Sequence, residues 1–134
     1  MRLVADANVL LSAVLGGRAK LVLEHPKVEE VVTAEATFAE VQQYAAHLAK
    51  KKRLSLDLVL LALVALPVTV VERAAYASAV PEALRRIGQR DPDDVEILAL
   101  ALQLGLPVWS HDNDFEDAGL EWYTTAELLK KLGS

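Results

Sequence analysis

The chain has 134 residues, 53% of them hydrophobic and only 5% aromatic, which suits one domain with a mainly aliphatic core. It has no cysteine, which excludes disulfides, thiolate zinc sites and cysteine nucleophiles and is compatible with a cytoplasmic protein. The net charge of −5 argues against nucleic-acid binding by bulk attraction, although carboxylates that hold cations would also make a nuclease acidic.

The apolar pattern predicts strands that alternate with helices. In chain order we predict strands at 3–6, 28–33, 68–71, 108–110 and 122–123, with helices at 8–15, 18–24, 34–52, 56–66, 72–87 and 91–105 and a last helix after Thr124. The run at 68–71 suits a buried strand, and Pro81 marks a break in its helix. Glu127 has capping-box spacing from Thr124. We therefore expect an α/β fold, a three-layer α/β/α sandwich with a mainly parallel sheet, formed by one domain over 1–134.

The most apolar stretch, at 54–71, approaches the length of a bilayer span. It contains Asp57 early and Pro67 late, which favours a short helix followed by a strand. We therefore expect no membrane segment and a cytoplasmic location.

Asp6 directly follows the apolar run Leu3-Val4-Ala5. Open α/β sheets bind ligands at the carboxyl ends of their strands, and a buried carboxylate there is costly unless it is paired or metal-bound. The alternative role for Asp6 is the N-cap of the following helix. Asn8 would orient Asp6, contact a metal-bound water, or cap the helix itself.

Asp93 and Asp94 would point about 100° apart on a helix. Asp94 shares its side with the apolar positions three, four and seven residues later, whereas Asp93 aligns with Glu96. We expect Asp94 to face inward and Asp93 to face solvent. This favours a ligand role for Asp94 over a favourable interaction with the helix dipole alone.

Further acids are predicted at the same edge of the sheet. Glu40 borders the apolar stripe of the helix at 34–52, and Glu35 is a competitor closer to the strand end. Asp112 and Asp114 follow the strand at 108–110 and join Ser110 in offering several oxygens, although loop aspartates also make turns. The three histidines show no ligand spacing.

Clusters of oxygen ligands select Mg²⁺ or Mn²⁺ rather than zinc. Two such ions about 4 Å apart can activate water and stabilise the leaving oxygen during phosphodiester cleavage. The chain has no glycine-rich loop for phosphates, which argues against a nucleoside triphosphatase.

Four segments together resemble the PIN domain, the small metal-dependent nuclease fold of many prokaryotic toxin ribonucleases of the VapC type. They are, in order, VADAN at 4–8, TFAEV at 37–41, DPDDVEILALAL at 91–102 and VWSHDNDF at 108–115. The resemblance spans essentially the whole chain.

The resemblance implies that Asp6, Glu40, Asp94 and Asp112 are the family's four metal-binding and catalytic acids. Asp114 competes for, or shares, the last position, while Asn8 and Ser110 match polar positions close to the metals. It also implies a parallel sheet between helices, a homodimer or higher oligomer, and an active enzyme. The expected function is a Mg²⁺- or Mn²⁺-dependent ribonuclease, a toxin with an antitoxin segment in its acidic groove.

Two other functions remain open from the sequence. A receiver-like signalling domain also gathers acids around Mg²⁺, and it needs an aspartate at the end of a central strand and a lysine after a later strand. Here the strand at 68–71 is followed by Glu72 and Arg73, and no lysine follows the strand at 108–110. A non-catalytic RNA-binding scaffold would use the basic run Lys50-Lys51-Lys52-Arg53, which alternatively is a solvated helix end that complements the helix dipole.

Overall fold

A five-stranded parallel sheet forms the centre of the computed structural model, which describes residues 1–88, 91–111 and 115–133. The strands are β1 (Arg2–Ala5), β2 (Glu30–Ala34), β3 (Thr69–Val71), β4 (Val108–Trp109) and β5 (Trp122–Tyr123). They lie in the order β3-β2-β1-β4-β5, and every neighbouring pair is parallel. The predicted α/β fold with a parallel sheet is confirmed.

Helices occupy the connections from β1 to β4, and one further helix follows β5. Their bounds are α1 (Ala7–Val14), α2 (Ala19–Leu23), α3 (Glu35–Lys51), α4 (Leu56–Val64), α5 (Val80–Ile87), α6 (Val95–Leu104) and α7 (Thr125–Leu132). Gly105 ends α6 with a positive φ of 67°, and Thr124 and Glu127 form the predicted capping box of α7. Among the helices that the structure describes, none combines the length and hydropathy that crossing a bilayer requires.

The central strand shows how the three layers are built. Side chains alternate across a strand, so Leu3 and Ala5 of β1 pack on one face of the sheet and Val4 packs on the other. The first face is covered by apolar residues of α1, α2, α3, α4 and α7, and the second by those of α5 and α6. A fully buried Leu or Val contributes about 1.5–3 kcal/mol, so this alternation is enough to fix the face that each strand residue occupies.

The order of the strands creates a crevice at the carboxyl end of β1. From β1 the chain order runs through β2 to β3 on one side and through β4 to β5 on the other. Ligands of open α/β sheets bind outside the strand ends at such a reversal. The order also differs from the 2-1-3-4-5 arrangement of flavodoxin-like receivers, so the fold does not support the receiver-like alternative.

Two local predictions are wrong. The strand predicted as buried at 68–71 is β3, which among the described strands pairs with β2 alone and leaves Val70 41% exposed. The helix predicted at 72–87 consists of two short 3₁₀ turns, Arg73–Ala75 and Ala77–Ala79, followed by α5. Pro81 lies in the first turn of α5, where its missing N–H leaves no hydrogen bond unmade, so the predicted break falls directly before it, at the start of α5.

Candidate active site

Asp6 lies at the N-terminus of α1, directly beyond β1, and its side chain is only 5% exposed. Its Oδ1 accepts a hydrogen bond from the Ala7 backbone N–H at 2.5 Å, which makes Asp6 the N-cap of α1. Its Oδ2 accepts a hydrogen bond of 2.7 Å from the Ser110 hydroxyl. The capping role is therefore confirmed. Because a carboxylate offers about four lone-pair positions, these two hydrogen bonds orient the group and do not by themselves exclude a cation.

Ser110 is completely buried and directly follows β4. The backbone joins the two strand ends, since the Asp6 N–H donates to the Trp109 carbonyl at 3.0 Å and the Ser110 N–H donates to the Tyr123 carbonyl at 3.0 Å. Ser110 is thus held against Asp6 by the sheet itself. The switch point of the sheet therefore holds a carboxylate and a hydroxyl in fixed positions.

Two neighbours of Ser110 are tied to α7. The indole N–H of the buried Trp109 donates to the Thr125 hydroxyl at 3.0 Å, and Nε2 of His111 lies 2.7 Å from the same oxygen. His111 therefore has a structural hydrogen bond, which agrees with its interpretation as an ordinary histidine. These contacts fix the end of β4 on which Ser110 stands.

Glu40 lies in the second turn of α3 and is exposed. Desolvation raises the pKa of its carboxyl, and the negative charges of Asp93, Asp6 and Glu96 raise it further. Within the described residues, no lysine or arginine forms an ion pair with Glu40. The structure therefore brings Glu40 into the electrostatic range of Asp6 and of the acidic segment that begins α6.

Asp94 is the last residue of the 3₁₀ turn Pro92–Asp94, which leads into α6. Its backbone N–H donates to the Asp91 carbonyl at 3.0 Å. Asp94 is half-buried and Asp93 is exposed, as the predicted directions require. Asp93 nevertheless acts on Glu40 through its charge, so the description of Asp93 as merely solvent-facing is incomplete.

Glu96 belongs to the same acidic region, although the sequence indicated only a polar surface position. Its Oε1 accepts a hydrogen bond of 3.0 Å from Nε of Arg73 and forms an ion pair with it. The buried Tyr76 lies next to Glu96, and burial together with this carboxylate raises the pKa of the tyrosine. Its spacing of three residues from Asp93, which places the two side chains on one side of a helix, is the sequence signal that could have pointed to Glu96.

The donors that the structure describes are carboxylate and hydroxyl oxygens, the ligand type of Mg²⁺ and Mn²⁺. In the residues that the structure describes, no three acidic or histidine side chains form a group that could hold a metal ion. Asp112 and Asp114, the predicted acids beyond β4, lie outside the described residues. Desolvation is the main cause of the raised pKa of Glu40, and the negative charges that raise it further are ones that a divalent cation would offset.

A cavity of about 510 Å³ opens beside Glu40, between α1 and α3. It is lined by Ala7, Asn8, Leu11, Glu40, Val41, Gln43, Tyr44 and His47. Tyr44 is 51% exposed, and its ring centroid lies 6.1 Å from that of His47. We did not predict Gln43, Tyr44 or His47 as functional residues, although their spacing of three, four and seven residues from Glu40 was a readable signal.

The fold and the site together define a class: a three-layer α/β/α domain with an acidic crevice at the switch point of a parallel sheet. The chain belongs to the PIN domain family, whose sequence model matches residues 4–133. The resemblance inferred from the four sequence segments is thereby confirmed. No curated protein sequence matches the chain significantly.

Solved structures of toxin–antitoxin proteins share this fold. VapBC2 from Rickettsia felis, bound to a promoter DNA fragment, matches with a TM-score of 0.72 and 14% identity over 92% of this chain and 98% of that chain. A toxin–antitoxin complex from Klebsiella pneumoniae matches with a TM-score of 0.65 and 22% identity, over 91% of this chain and 96% of that chain. VapC20 from Mycobacterium tuberculosis, a toxin that cleaves the sarcin-ricin loop, matches with a TM-score of 0.63 and 17% identity, over 88% of this chain and 95% of that chain. At these identities the similarity establishes the fold.

Proposed function

We propose that the chain is a ribonuclease that depends on Mg²⁺ or Mn²⁺ and acts as the toxin of a toxin–antitoxin pair in the cytoplasm. The observation that carries this proposal is the buried Asp6, held by Ser110 at the switch point of the sheet and within electrostatic range of Glu40. Membership of the PIN family and the shared fold of toxin structures support the same conclusion.

Asp6, Glu40, Asp94 and Asp112 are the proposed ligands of the cation, and Asp114 is the alternative at the last position. The bound cation would supply Lewis-acid chemistry, which activates water and offsets charge on the phosphate. The chain's own contribution is to place the acids. The cap of α1 and the Ser110 hydroxyl orient Asp6, while α3 carries Glu40 and the 3₁₀ turn before α6 carries Asp94.

RNA is the proposed substrate because VapC20, which has this fold, cleaves the sarcin-ricin loop. Cleavage by the purified chain is expected with Mg²⁺ or Mn²⁺ and is expected to stop when a chelator is added. The assay uses labelled single-stranded and structured RNA, with each metal alone and with chelator. RNA binding without cleavage at any Mn²⁺ concentration would favour the non-catalytic scaffold, and undiminished cleavage in chelator would disprove metal dependence.

An antitoxin is the proposed protein partner, since the structures with this fold include toxin–antitoxin complexes. Its segment would occupy the acidic groove. A positively charged side chain on that segment would offset the negative charge around Glu40.

Self-association is proposed through α4, whose outer face is apolar. Leu58, Leu61 and Val64 are 67%, 65% and 67% exposed, and Leu54 and Leu56 extend the same surface, which also carries the exposed Asp57. Contiguous exposed apolar patches of this kind mark protein interfaces. We assign a second copy of the chain as the occupant, because a two-fold interface places the same patch on both sides and a predominantly apolar patch is complementary to itself.

Leu61→Glu is expected to convert the dimer to a monomer without lowering the melting temperature, since Leu61 is exposed in the single chain. Light scattering coupled to size-exclusion chromatography would show the mass falling by half. Leu84→Glu, an equivalent change at an exposed leucine of α5, is the control and should keep the dimer mass. An unchanged mass for Leu61→Glu would show that α4 is not the interface.

A further inference from the structure

We propose that the exposed side of α3 is a binding track for single-stranded RNA, on which an unpaired base stacks against Tyr44 beside the acidic crevice. This inference rests on the proposed ribonuclease function and names the form of RNA that the site accepts. It is carried by the row of side chains along α3, by the cavity beside Glu40 and by the end of the helix.

The row follows from the geometry of α3. Glu40, Tyr44, His47 and Lys51 succeed one another at intervals of three or four residues, the spacing at which side chains share one side of a helix. All four are exposed, whereas the buried side of α3 carries Thr37, Val41, Ala45 and Ala49. An acid, two aromatic rings and a cation thus lie in line on one surface.

The cavity at the start of this row suits a planar base. Its volume of about 510 Å³ lies in the range of small-molecule sites. The lining combines the Tyr44 and His47 rings, which are tilted by 33° to each other, with the amide side chains of Asn8 and Gln43. Unpaired bases in RNA complexes stack on such rings and pair their edges with polar side chains.

The distances along α3 match the size of a nucleotide substrate. A rise of 1.5 Å per residue places Tyr44 about 6 Å along the helix axis from Glu40, and Lys51 about 16 Å from it. A phosphate held at the acidic crevice therefore leaves its neighbouring base within reach of Tyr44. The next part of the strand would run toward the C-terminal end of α3.

That end of α3 is strongly basic. Lys50, Lys51, Lys52 and Arg53 are all exposed, and none of them takes part in an ion pair within the described part of the chain. Free cations at this distance from the acids would contact backbone phosphates. They also compensate locally for the overall negative charge of the chain.

Arg53 adds an independent observation. Its φ is +56°, and within the described residues it is the one non-glycine residue with a positive φ. The Leu54 N–H donates to the Ala49 carbonyl at 2.8 Å, so Arg53 occupies the helix-ending position that favours glycine. A residue kept in a strained conformation where glycine would fit indicates that its side chain has a use. Phosphate contact is that use.

RNA suits this surface better than a second protein does. The track carries charges of both signs and amide groups, while the predominantly apolar face lies on α4. Because the cavity joins the track to Glu40, an RNA strand would reach the acids without displacing any described element. We therefore assign RNA to the exposed side of α3 and the second copy of the chain to α4.

Tyr44→Ala is expected to raise the dissociation constant of a labelled single-stranded 12-nucleotide RNA about tenfold, as expected for one lost base stack. Fluorescence anisotropy in chelator measures this binding without cleavage. Tyr44→Phe keeps the ring and should bind like the wild type. Leu84→Ala is the matched control, because Leu84 is also 51% exposed but lies on α5.

Two further variants separate a base contact from phosphate contacts. Lys51→Gln should weaken the binding of single-stranded RNA of every sequence and reduce the slope of log affinity against log salt by about 0.7. Arg53→Gly should raise the melting temperature, because glycine relieves the positive φ, and should weaken RNA binding at the same time. If Arg53 has only a structural role, Arg53→Gly should raise the melting temperature and leave RNA binding unchanged.

The outcomes distinguish this inference from the proposed function. If Tyr44→Ala binds RNA like the wild type while the wild type cleaves RNA with metal, the track is wrong and the ribonuclease function stands. If Tyr44→Ala loses RNA binding but the wild type never cleaves, the track stands and the catalytic function fails. A change of oligomeric mass in Tyr44→Ala without a change in RNA affinity would overturn the track in favour of a protein contact.

Discussion

The Asp6→Asn variant is expected to lose RNA cleavage by at least about a hundredfold while keeping its fold. The loss follows because one ligand charge disappears, and about 3 kcal/mol of transition-state stabilisation corresponds to that factor. The fold should survive because asparagine is as good an N-cap as aspartate, so its side-chain oxygen can still accept from the Ala7 N–H. The Ser110 hydroxyl can rotate to accept from the new amide.

The measurement combines cleavage of labelled RNA with Mg²⁺ or Mn²⁺ and thermal unfolding of the same preparation. Asp57→Asn is the control, since it makes the same chemical change at an exposed position in the first turn of α4. It should cleave like the wild type. Should purified Asp6→Asn cut RNA as fast as the wild type, the proposed site is wrong.

Glu40→Gln is expected to have opposite effects on activity and on metal-free stability. Cleavage should fall about a hundredfold, because the variant removes a proposed ligand of the cation. In chelator at neutral pH the melting temperature should rise, because the substitution removes one of several carboxylates that repel each other. Addition of Mg²⁺ should stabilise the wild type more than the variant.

The sign of the pH dependence follows from the raised pKa of Glu40. A carboxyl whose pKa is higher in the folded state contributes stability that is fully present below its ordinary value of 4.5. That contribution to stability is lost as the pH rises through the pKa that Glu40 has in the folded state. The difference in melting temperature between Glu40→Gln and the wild type should therefore grow from pH 4.5 to pH 7 in chelator. A variant less stable than the wild type at pH 7 would show that the Glu40 charge is already compensated.

The sequence was sufficient for the parts of the site that depend on local order. Asp6 stands at the end of an apolar run and Asp94 at the start of an amphipathic helix, and both positions follow from periodicity along the chain. The alternation of strands and helices likewise predicts a parallel sheet. The metal and catalytic roles of the five acids stay predictions.

The errors concern properties that arise only when distant segments pack. The β-branched residues of β3 resemble a buried strand, but an edge position is decided by which strands lie beside it. The influence of Asp93 and Glu96 on Glu40 likewise depends on the packing of α3 near α6. The cavity at Tyr44 forms because α1 lies beside α3. Helical spacing along α3 predicts the row of side chains but not this cavity.

The two outer strands of the sheet have a consequence for solubility. β3 has three residues and β5 has two, so each border of the sheet offers only a few backbone groups to a foreign strand. Short borders of this kind discourage strand-to-strand aggregation. The short edge strands therefore protect the sheet from growing into a fibril when copies of the chain meet at high concentration.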